Sequence, residues 1–419
     1  MLDITQLNHS LLTQPGAVAT KPETNGRAFP GGAAALRMVP LNAKPTVTWR
    51  VTGACNQHCL NCHSDARPHR TGPELTTEDG EDLIRDLAAF GVPRLVFAGG
   101  EPLLPTDLLE LVAYTREQGV QPSLLTNGSL LTLAHAAELK SAGLHSVTIL
   151  MEGFGREVDR HRGVRGAGQA VMEGYASCEA VGLAAEIRMP LTRWNYPRLA
   201  ETLDAIEHCA IRRVVFTHMV YVGRGNRPED DLSREEKRGA LDLILERAED
   251  FQRRGVDIQV ATDQNHADGV YFWLRVARND PWRAVAALRL LPAYGAGVQG
   301  AGVGMAGIDA AGDVHPEIHW SRHTLGNVRN AAFSEIWSQS ADPLLHGLRD
   351  RLPLLTGRCA TCRWKGICGG NLRVRAEQYY GDPWTSDPAC YLTNNEVAKE
   401  VTEQFEAMED DVLLPEQAA

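Results

Sequence analysis

Cys55, Cys59 and Cys62 form a Cys-x3-Cys-x2-Cys run, and no fourth cysteine lies close to it. Four thiolates would close a tetrahedral centre, whereas three thiolates around a four-iron cluster leave one iron with an open position. Open positions are what reactive metal sites keep. His58 and His63 stand in the same stretch, so a zinc knuckle completed by either is an alternative for this spacing. Further on comes Gly99-Gly100-Glu101-Pro102, which alone would be an ordinary turn. Both motifs follow apolar segments predicted as strands, at 46–51 and 94–98. They therefore sit at strand carboxyl ends, where α/β enzymes keep their chemistry.

A second set, Cys359-x2-Cys362-x5-Cys368 with Cys390 beyond it, supplies four thiolates. Four ligands saturate a centre, so this site would hold or pass electrons rather than activate a ligand. Spacing alone leaves zinc and iron–sulfur both open here. Cys178 and Cys209 fall within helical patterns, on or near their apolar faces, and read as buried structural thiols.

The elements that must position these residues alternate. Strands are predicted at 123–125, 146–151, 184–189 and 212–217, with helical patterns at 107–119, 132–143, 167–182 and 197–209. A further helix opens at Thr76, where Thr76-x-x-Asp79 reads as a capping box, and ends at Gly91. Such alternation implies parallel strands joined by right-handed crossovers, hence an α/β chain with a partial (β/α)6 TIM-like barrel. Residues 1–45 read as a flexible N-terminal arm with a short amphipathic piece at 4–12, and residues 46–225 as the barrel. Residues 226–330 read as a bridging region: a helix at 234–254, a strand at 256–261, then a loop-rich stretch. Residues 331–395 form the C-terminal extension with the second cysteine set, and 396–419 an acidic helical tail. Gly295-x-Gly297-x-x-Gly300 matches a dinucleotide fingerprint but follows no predicted strand, and reads as a flexible glycine loop.

Bulk properties narrow the setting. The chain of 419 residues is 43% hydrophobic and 23% charged, as soluble globular proteins are. Its net charge of −11 disfavours nucleic-acid partners. No apolar run approaches the roughly 20 residues that span a bilayer, so no membrane association is expected. The first 30 residues lack the basic and apolar regions of a secretory signal. Nine cysteines without such a signal argue for reduced, metal-bound thiols and a cytoplasmic location.

Together the three-cysteine loop and the Gly-Gly-Glu-Pro strand end resemble the radical S-adenosylmethionine (SAM) superfamily. The resemblance implies that Cys55, Cys59 and Cys62 hold a [4Fe-4S] cluster to which SAM binds. Gly99, Gly100 and Glu101 would receive the SAM amino group, Arg162 its carboxylate, and Asn127 its ribose. Arg188, a charge on an otherwise apolar strand, is a further candidate facing the barrel interior. Reduction of bound SAM would give methionine and a 5′-deoxyadenosyl radical that abstracts a substrate hydrogen, with flavodoxin or ferredoxin as electron donor. The C-terminal cysteines, with Leu325-Gly326-Asn327-Val328-Arg329 and Phe333-Ser334-Glu335-Ile336-Trp337, resemble the SPASM/twitch cluster-binding extensions of that superfamily. Further SPASM cysteines are lacking around 308–316, which predicts one auxiliary [4Fe-4S] cluster on Cys359, Cys362, Cys368 and Cys390.

Several stretches resemble the NirJ-type haem d1 biosynthesis branch: Tyr221-Val222-Gly223-Arg224-Gly225-Asn226, Asn265-His266-Ala267-Asp268-Gly269, Ile367-Cys368-Gly369-Gly370-Asn371 and Asp387-Pro388-Ala389-Cys390. This implies a sirohaem-derived tetrapyrrole substrate that loses propionate side chains. Its carboxylates call for basic partners; Arg224, His266, His315, His319 and Arg373 are the candidates. Departures exist. Ala98 stands where the branch has serine before Gly-Gly-Glu-Pro, and Leu150-Met151-Glu152-Gly153 replaces Ser-Ile-Asp-Gly. A SPASM-type peptide-modifying enzyme, or a diverged paralogue acting on another small molecule, is the alternative.

Overall fold

The computed structural model describes residues 1–13, 44–294 and 300–398. Most of the expected N-terminal arm, Gly295 and Gly297 of the glycine run, and the acidic tail beyond 398 lie outside the described residues.

Eleven strands form one sheet among the described residues. In chain order they are β1 (Leu2–Asp3), β2 (Thr46–Thr52), β3 (Arg94–Gly99), β4 (Gln121–Thr126), β5 (Ser146–Leu150) and β6 (Ala184–Pro190). They continue with β7 (Arg213–Thr217), β8 (Gln259–Asp263), β9 (Met305–Ile308), β10 (Asp313–His315) and β11 (Gly326–Asn327). The spatial order is β1-β8-β7-β6-β5-β4-β3-β2-β9-β10-β11. Strands β2 to β8 run parallel in sequential order, and β9 joins β2 in parallel, with Trp49 opposite Ile308. The first six of these, each followed by a helix, make an open, partial (β/α)6 barrel, as the alternating pattern predicts.

Local chemistry explains the elements. Thr76 caps the Thr77–Phe90 helix in a full capping box with Asp79, and Gly91 closes it in the left-handed region. That helix buries Leu83, Ile84 and Leu87 against the sheet; each fully buried aliphatic side chain contributes about 1.5–3 kcal/mol. Its Gly80 lies against Trp49 of β2, and a Cβ there would come within 2.7 Å of the indole. Trp49 therefore faces the helices, and alternation along the strand sends Arg50 to the barrel interior.

Four expectations need correction. Residues 1–13 do not belong to a flexible arm: β1 pairs antiparallel with β8, and the Ile4–Thr13 helix buries Ile4 and Leu7 completely. Leu2, Ile4 and Leu7 supply enough apolar surface to dock this short piece on an edge strand that would otherwise lie open. The strand expected at 256–261 is β8, displaced to Gln259–Asp263, where it pairs with β7. The stretch after it is helical, at Ala267–Asn279 and Pro281–Tyr294. Ala267 through Trp273 are buried without interruption and exposure begins only near Arg278; the helix carries an amphipathic pattern, a helical signal that the loop-rich reading overlooks. Of the two helical thiols, Cys178 is buried as expected, but Cys209 caps the Leu199–His208 helix and is exposed.

Candidate active site

The carboxyl end of β2 runs directly into the three-cysteine loop. Cys55 N–H donates to the Arg67 carbonyl at 2.7 Å, closing the loop on itself. Gly53 N–H and the Thr52 hydroxyl both donate to Glu74, at 2.9 Å each. The glycine pair at the end of β3 packs flat against this turn. Gly100 N–H reaches Thr52 O and Glu101 N–H reaches Ala54 O, each at 2.8 Å. A Cβ on Gly99 would stand 2.6 Å from Thr52 O, and one on Gly100 only 2.1 Å from Ala54 O. Backbone must meet backbone here, so both positions exclude any side chain.

Glu101 is fully buried. Its carboxylate accepts from the Thr126 hydroxyl at 2.7 Å, Asn127 N–H at 2.9 Å and Leu103 N–H at 3.1 Å, tying β3 to the end of β4. Burial pushes its pKa up, and these hydrogen bonds offset only part of that. Among the described residues no ion pair is formed by Glu101, and a buried carboxyl of this kind suits a cationic ammonium ligand. Asn127 donates from its amide to Asn56 at 2.9 Å and points the same group toward Cys55 Sγ at 3.8 Å. It joins the β4 end to the cysteine loop.

Arg162 ends the Arg156–Arg162 helix and is wholly buried. All five of its N–H groups have partners. Nε donates to Glu152 at 2.7 Å, Nη1 to Asn127 O at 2.8 Å and Gln57 at 3.3 Å, and Nη2 to Leu150 O and to Glu152 at 3.3 Å. The helix end also receives the cysteine loop through its backbone: His58 N–H donates to Arg162 O and Leu60 N–H to His161 O, both at 3.0 Å. A guanidinium with no spare donor is a brace for the loop. It is a buried ion pair with Glu152, the residue that departs from the family pattern at the β5 end.

Arg224 is a second brace, although its Nη2 has no hydrogen-bond partner. Its Nε donates to Cys59 O at 3.1 Å, Nη1 reaches Ala66 O at 2.7 Å and Asp65 at 3.0 Å, and its N–H bonds Cys62 O at 2.9 Å. Gly223 must lack a side chain because a Cβ there would stand 2.5 Å from Cys62 O, and its φ is +58°. Cys55 is buried, Cys59 and Cys62 half-buried, and all three are free thiols. Burial raises the Cys59 thiol to about 12, with the Glu152 charge adding and Arg162 opposing. Cys62 and Cys55 also act on it, so the three thiols lie within electrostatic reach of one another. Displacing such protons suits a soft metal centre, and the all-thiol donor set fits an iron–sulfur cluster.

Cys359, Cys362, Cys368 and Cys390 are also brought together. Burial raises Cys368 well above the usual thiol range, and the charges of the other three add to it. Arg358 points Nη1 at Cys390 Sγ, 3.8 Å away, and Ser386 accepts from Cys359 N–H at 3.2 Å. Arg373, expected at substrate, lies buried in this extension and donates to the Pro383, Thr385 and Gly370 carbonyls. Among the described residues, no three His, Cys, Asp or Glu side chains gather tightly enough to hold a single ion.

The remaining candidates disperse. His315 is buried between β10 and the following loop, with Nδ1 2.8 Å from His323 O, and is structural. His266 sits beyond β8 beside Asp263 and Met1, its N–H bonded to Asn371 at 2.8 Å. Burial and the Met1 ammonium hold its pKa down at about 3, so its ring stays neutral. His319 pairs with Glu317 at 2.5 Å and packs edge-on against His63. Arg188 does face the interior, 3.4 Å from Asp263 and 3.7 Å from Glu186. Gln57, Glu152, Thr126 and Arg50 were missed. Arg50 carried the same signal as Arg188, a lone charge in an apolar strand. A separate hollow of about 480 Å³ shares Glu152 with the site but none of the thiols.

An open parallel barrel with a three-thiol loop beside a Gly-Gly-Glu strand end defines the class. The profile of the radical SAM superfamily matches residues 49–230, and the chain belongs to that superfamily. It is therefore an enzyme of reductive SAM cleavage, and membership implies one [4Fe-4S] cluster and SAM. The chain is 40% identical over 84% of its length to the Fe-coproporphyrin III synthase of Methanosarcina barkeri, covering 89% of that protein. It is 38% identical over 84% of its length to the pre-heme d1 synthase of Dinoroseobacter shibae, covering 87% of it. Among solved structures, native anSMEcpe with bound AdoMet superposes with a TM-score of 0.64 at 15% identity, over 88% of this chain and all of the other; the likeness is one of fold. No helix among the described residues is long and apolar enough to cross a membrane.

Proposed function

We propose that this chain removes propionate side chains from a sirohaem-derived, iron-containing tetrapyrrole, in the manner of haem d1 precursor formation. The observation that carries the reading is similarity over 84% of the chain to relatives named for tetrapyrrole products. Cys55, Cys59 and Cys62 would hold the catalytic cluster, and Cys359, Cys362, Cys368 and Cys390 an auxiliary one. When bound, the catalytic cluster and SAM supply one-electron cleavage of the sulfonium and a carbon radical that takes a substrate hydrogen.

The chain's own part is placement. Glu101 presents a buried carboxylate to the SAM ammonium once Thr126 and Asn127 have oriented it. Arg162 and Arg224 clamp the cysteine loop from two sides, which would fix the three thiols that hold the cluster. Arg162 thus acts as a positioning residue, with no N–H left for the SAM carboxylate. Burial of the strand ends keeps water from a reactive intermediate. The electron donor would be a small reductant such as a flavodoxin or ferredoxin, and the location cytoplasmic.

The 40% identical relative favours a second reading, in which acetate groups are lost and an iron coproporphyrin forms. Anaerobic incubation with iron-didecarboxysirohaem, SAM and reductant, read by mass spectrometry, decides. Loss of propionate mass is expected, and loss of acetate mass instead selects the second reading. Turnover of a precursor peptide with none of the tetrapyrrole would overturn both.

A further inference from the structure

Inside the barrel two arginines outside the brace set each keep one guanidinium N–H unpartnered beside the contacts they do make. Arg50 of β2 is 8% exposed; its Nη2 donates to Ile318 O at 2.8 Å, and its Nε has no hydrogen-bond partner. Arg188 of β6 is about one-quarter exposed, and its Nε is likewise unpartnered. Its two acidic neighbours stand at 3.4 and 3.7 Å. Between the two arginines lies His63, next to Cys62 in the chain, within electrostatic reach of both and of His319. The two imidazoles pack edge-on, with ring centres 5.3 Å apart. Arg50 is also within electrostatic reach of Cys62, Glu317 and Asp309.

Strands β2 and β6, the cysteine loop and the loop after β10 thus bring two arginines and two histidines near one another beside the third cysteine. The acids present are already engaged. Glu317 pairs with His319, Asp309 accepts from Ala311 and Asp313 N–H, and Asp263 accepts from Gln264 N–H. Unpartnered guanidinium donors also occur at Arg224, Arg283, Arg358 and Arg373. Arg50 and Arg188 differ in standing beside the same imidazole next to Cys62, and a bound anion would recover the roughly 1–3 kcal/mol that each unmade bond costs. A carboxylate fits, because the planar fork of arginine matches its two oxygens.

We infer that Arg50 and Arg188, flanked by His63 and His319, form a carboxylate-binding face inside the barrel that grips a side-chain carboxylate of the substrate next to Cys62. This rests on the tetrapyrrole reading above. The SAM carboxylate is the other source of the same chemistry, and the test separates the two. The probes are iron coproporphyrin III, its tetramethyl ester in neutral detergent, and SAM. Each is titrated anaerobically into the reconstituted full chain without reductant, by optical change for the porphyrins and equilibrium dialysis for SAM.

Arg50→Met and Arg188→Met should each weaken iron coproporphyrin III at least tenfold, while Arg50→Lys loses less. The ester should bind weakly and equally to all variants, and SAM affinity should not move. Unchanged porphyrin affinity in both Met variants overturns the inference alone. A loss that falls on SAM instead also overturns it. A wild-type chain that binds neither porphyrin also overturns it, whereas the proposed function stands or falls separately on turnover of iron-didecarboxysirohaem. Should Arg50→Met fail to fold by circular dichroism, the more exposed Arg188→Met carries the same decision.

Discussion

Arg162 shows how one residue can matter to chemistry without touching it. It is buried, paired with Glu152 and bonded to the Gln57 side chain of the cysteine loop. Removing one member of a buried ion pair leaves an uncompensated charge, at a cost of about 3–5 kcal/mol. Arg162→Ala should therefore lower the denaturation midpoint sharply. Glu152→Gln with Arg162→Met should recover much of that stability without restoring loop order, which iron content after reconstitution would reveal. Gly100 offers a second test. A methyl group 2.1 Å from Ala54 O cannot be accommodated without moving the cysteine loop. Gly100→Ala should yield protein with markedly less iron per chain, while the far-ultraviolet dichroism stays close to that of the parent. Full iron loading would show that the glycine pair is not the seat of the loop.

Among elements, the clearest coupling joins the long Arg234–Arg254 helix, the Ala267–Asn279 helix and the short Asn394–Val397 turn. Arg238 makes two bonds of 2.9 Å to Glu396, Arg278 adds a third at 3.0 Å, and Trp364 Nε1 donates to Glu396 O at 2.8 Å. Burial works against the Glu396 carboxylate, but the Arg238 hydrogen bonds and charge outweigh it and hold its pKa down at about 2, from 4.5. A depressed folded pKa gives stability that is present above the unfolded value and disappears as pH falls through the folded one. This clamp should therefore weaken between about pH 4.5 and pH 2. Because solvent reaches part of it, the loss should be about 1–2 kcal/mol. Glu396→Gln should flatten that part of the stability–pH curve; a curve of unchanged slope would show that the clamp contributes nothing.

At the scale of the molecule, both ends of the barrel sheet are extended: β1 pairs antiparallel with β8 at one edge, and β9, parallel to β2, carries the antiparallel β10 and β11 at the other. β1 also brings Asp3 to 3.6 Å from Arg213, which bonds Glu186 at 2.9 Å inside the barrel. Deleting residues 1–13 should uncover the β8 edge and remove Ile4, Leu7 and Leu11 from the core. We expect a melting temperature lower by several degrees and concentration-dependent association, as bare sheet edges promote. Light scattering and a thermal melt check this. The extension is held to the barrel by Arg375, which pairs with Asp387 at 2.8 Å and donates to Met219 O at 2.7 Å and Gln264 O at 3.0 Å. Those two carbonyls follow β7 and β8, so the second cysteine set is built onto the barrel rim.

The alternating strands and helices, the capping box at Thr76 and the two cysteine sets were all legible before any coordinates, because each rests on local spacing. Which polar residues share a space was not legible, since Arg162, Glu152 and Gln57 meet only when three strand ends converge. Arg224 and Arg373 looked like substrate ligands from their neighbours in sequence; the fold turns both onto backbone carbonyls. The helix at Ala267–Asn279 was legible in its amphipathic pattern, although the glycine-rich context reads as loop. The chain itself determined the donor atoms and the order of its elements, because ligand type and strand period are written along the backbone. Tertiary packing alone decided which charges brace the cysteine loop, as Arg162 and Arg224 do, and which gather beside Cys62, as Arg50 and Arg188 do, because hydrogen-bond partners come from distant segments.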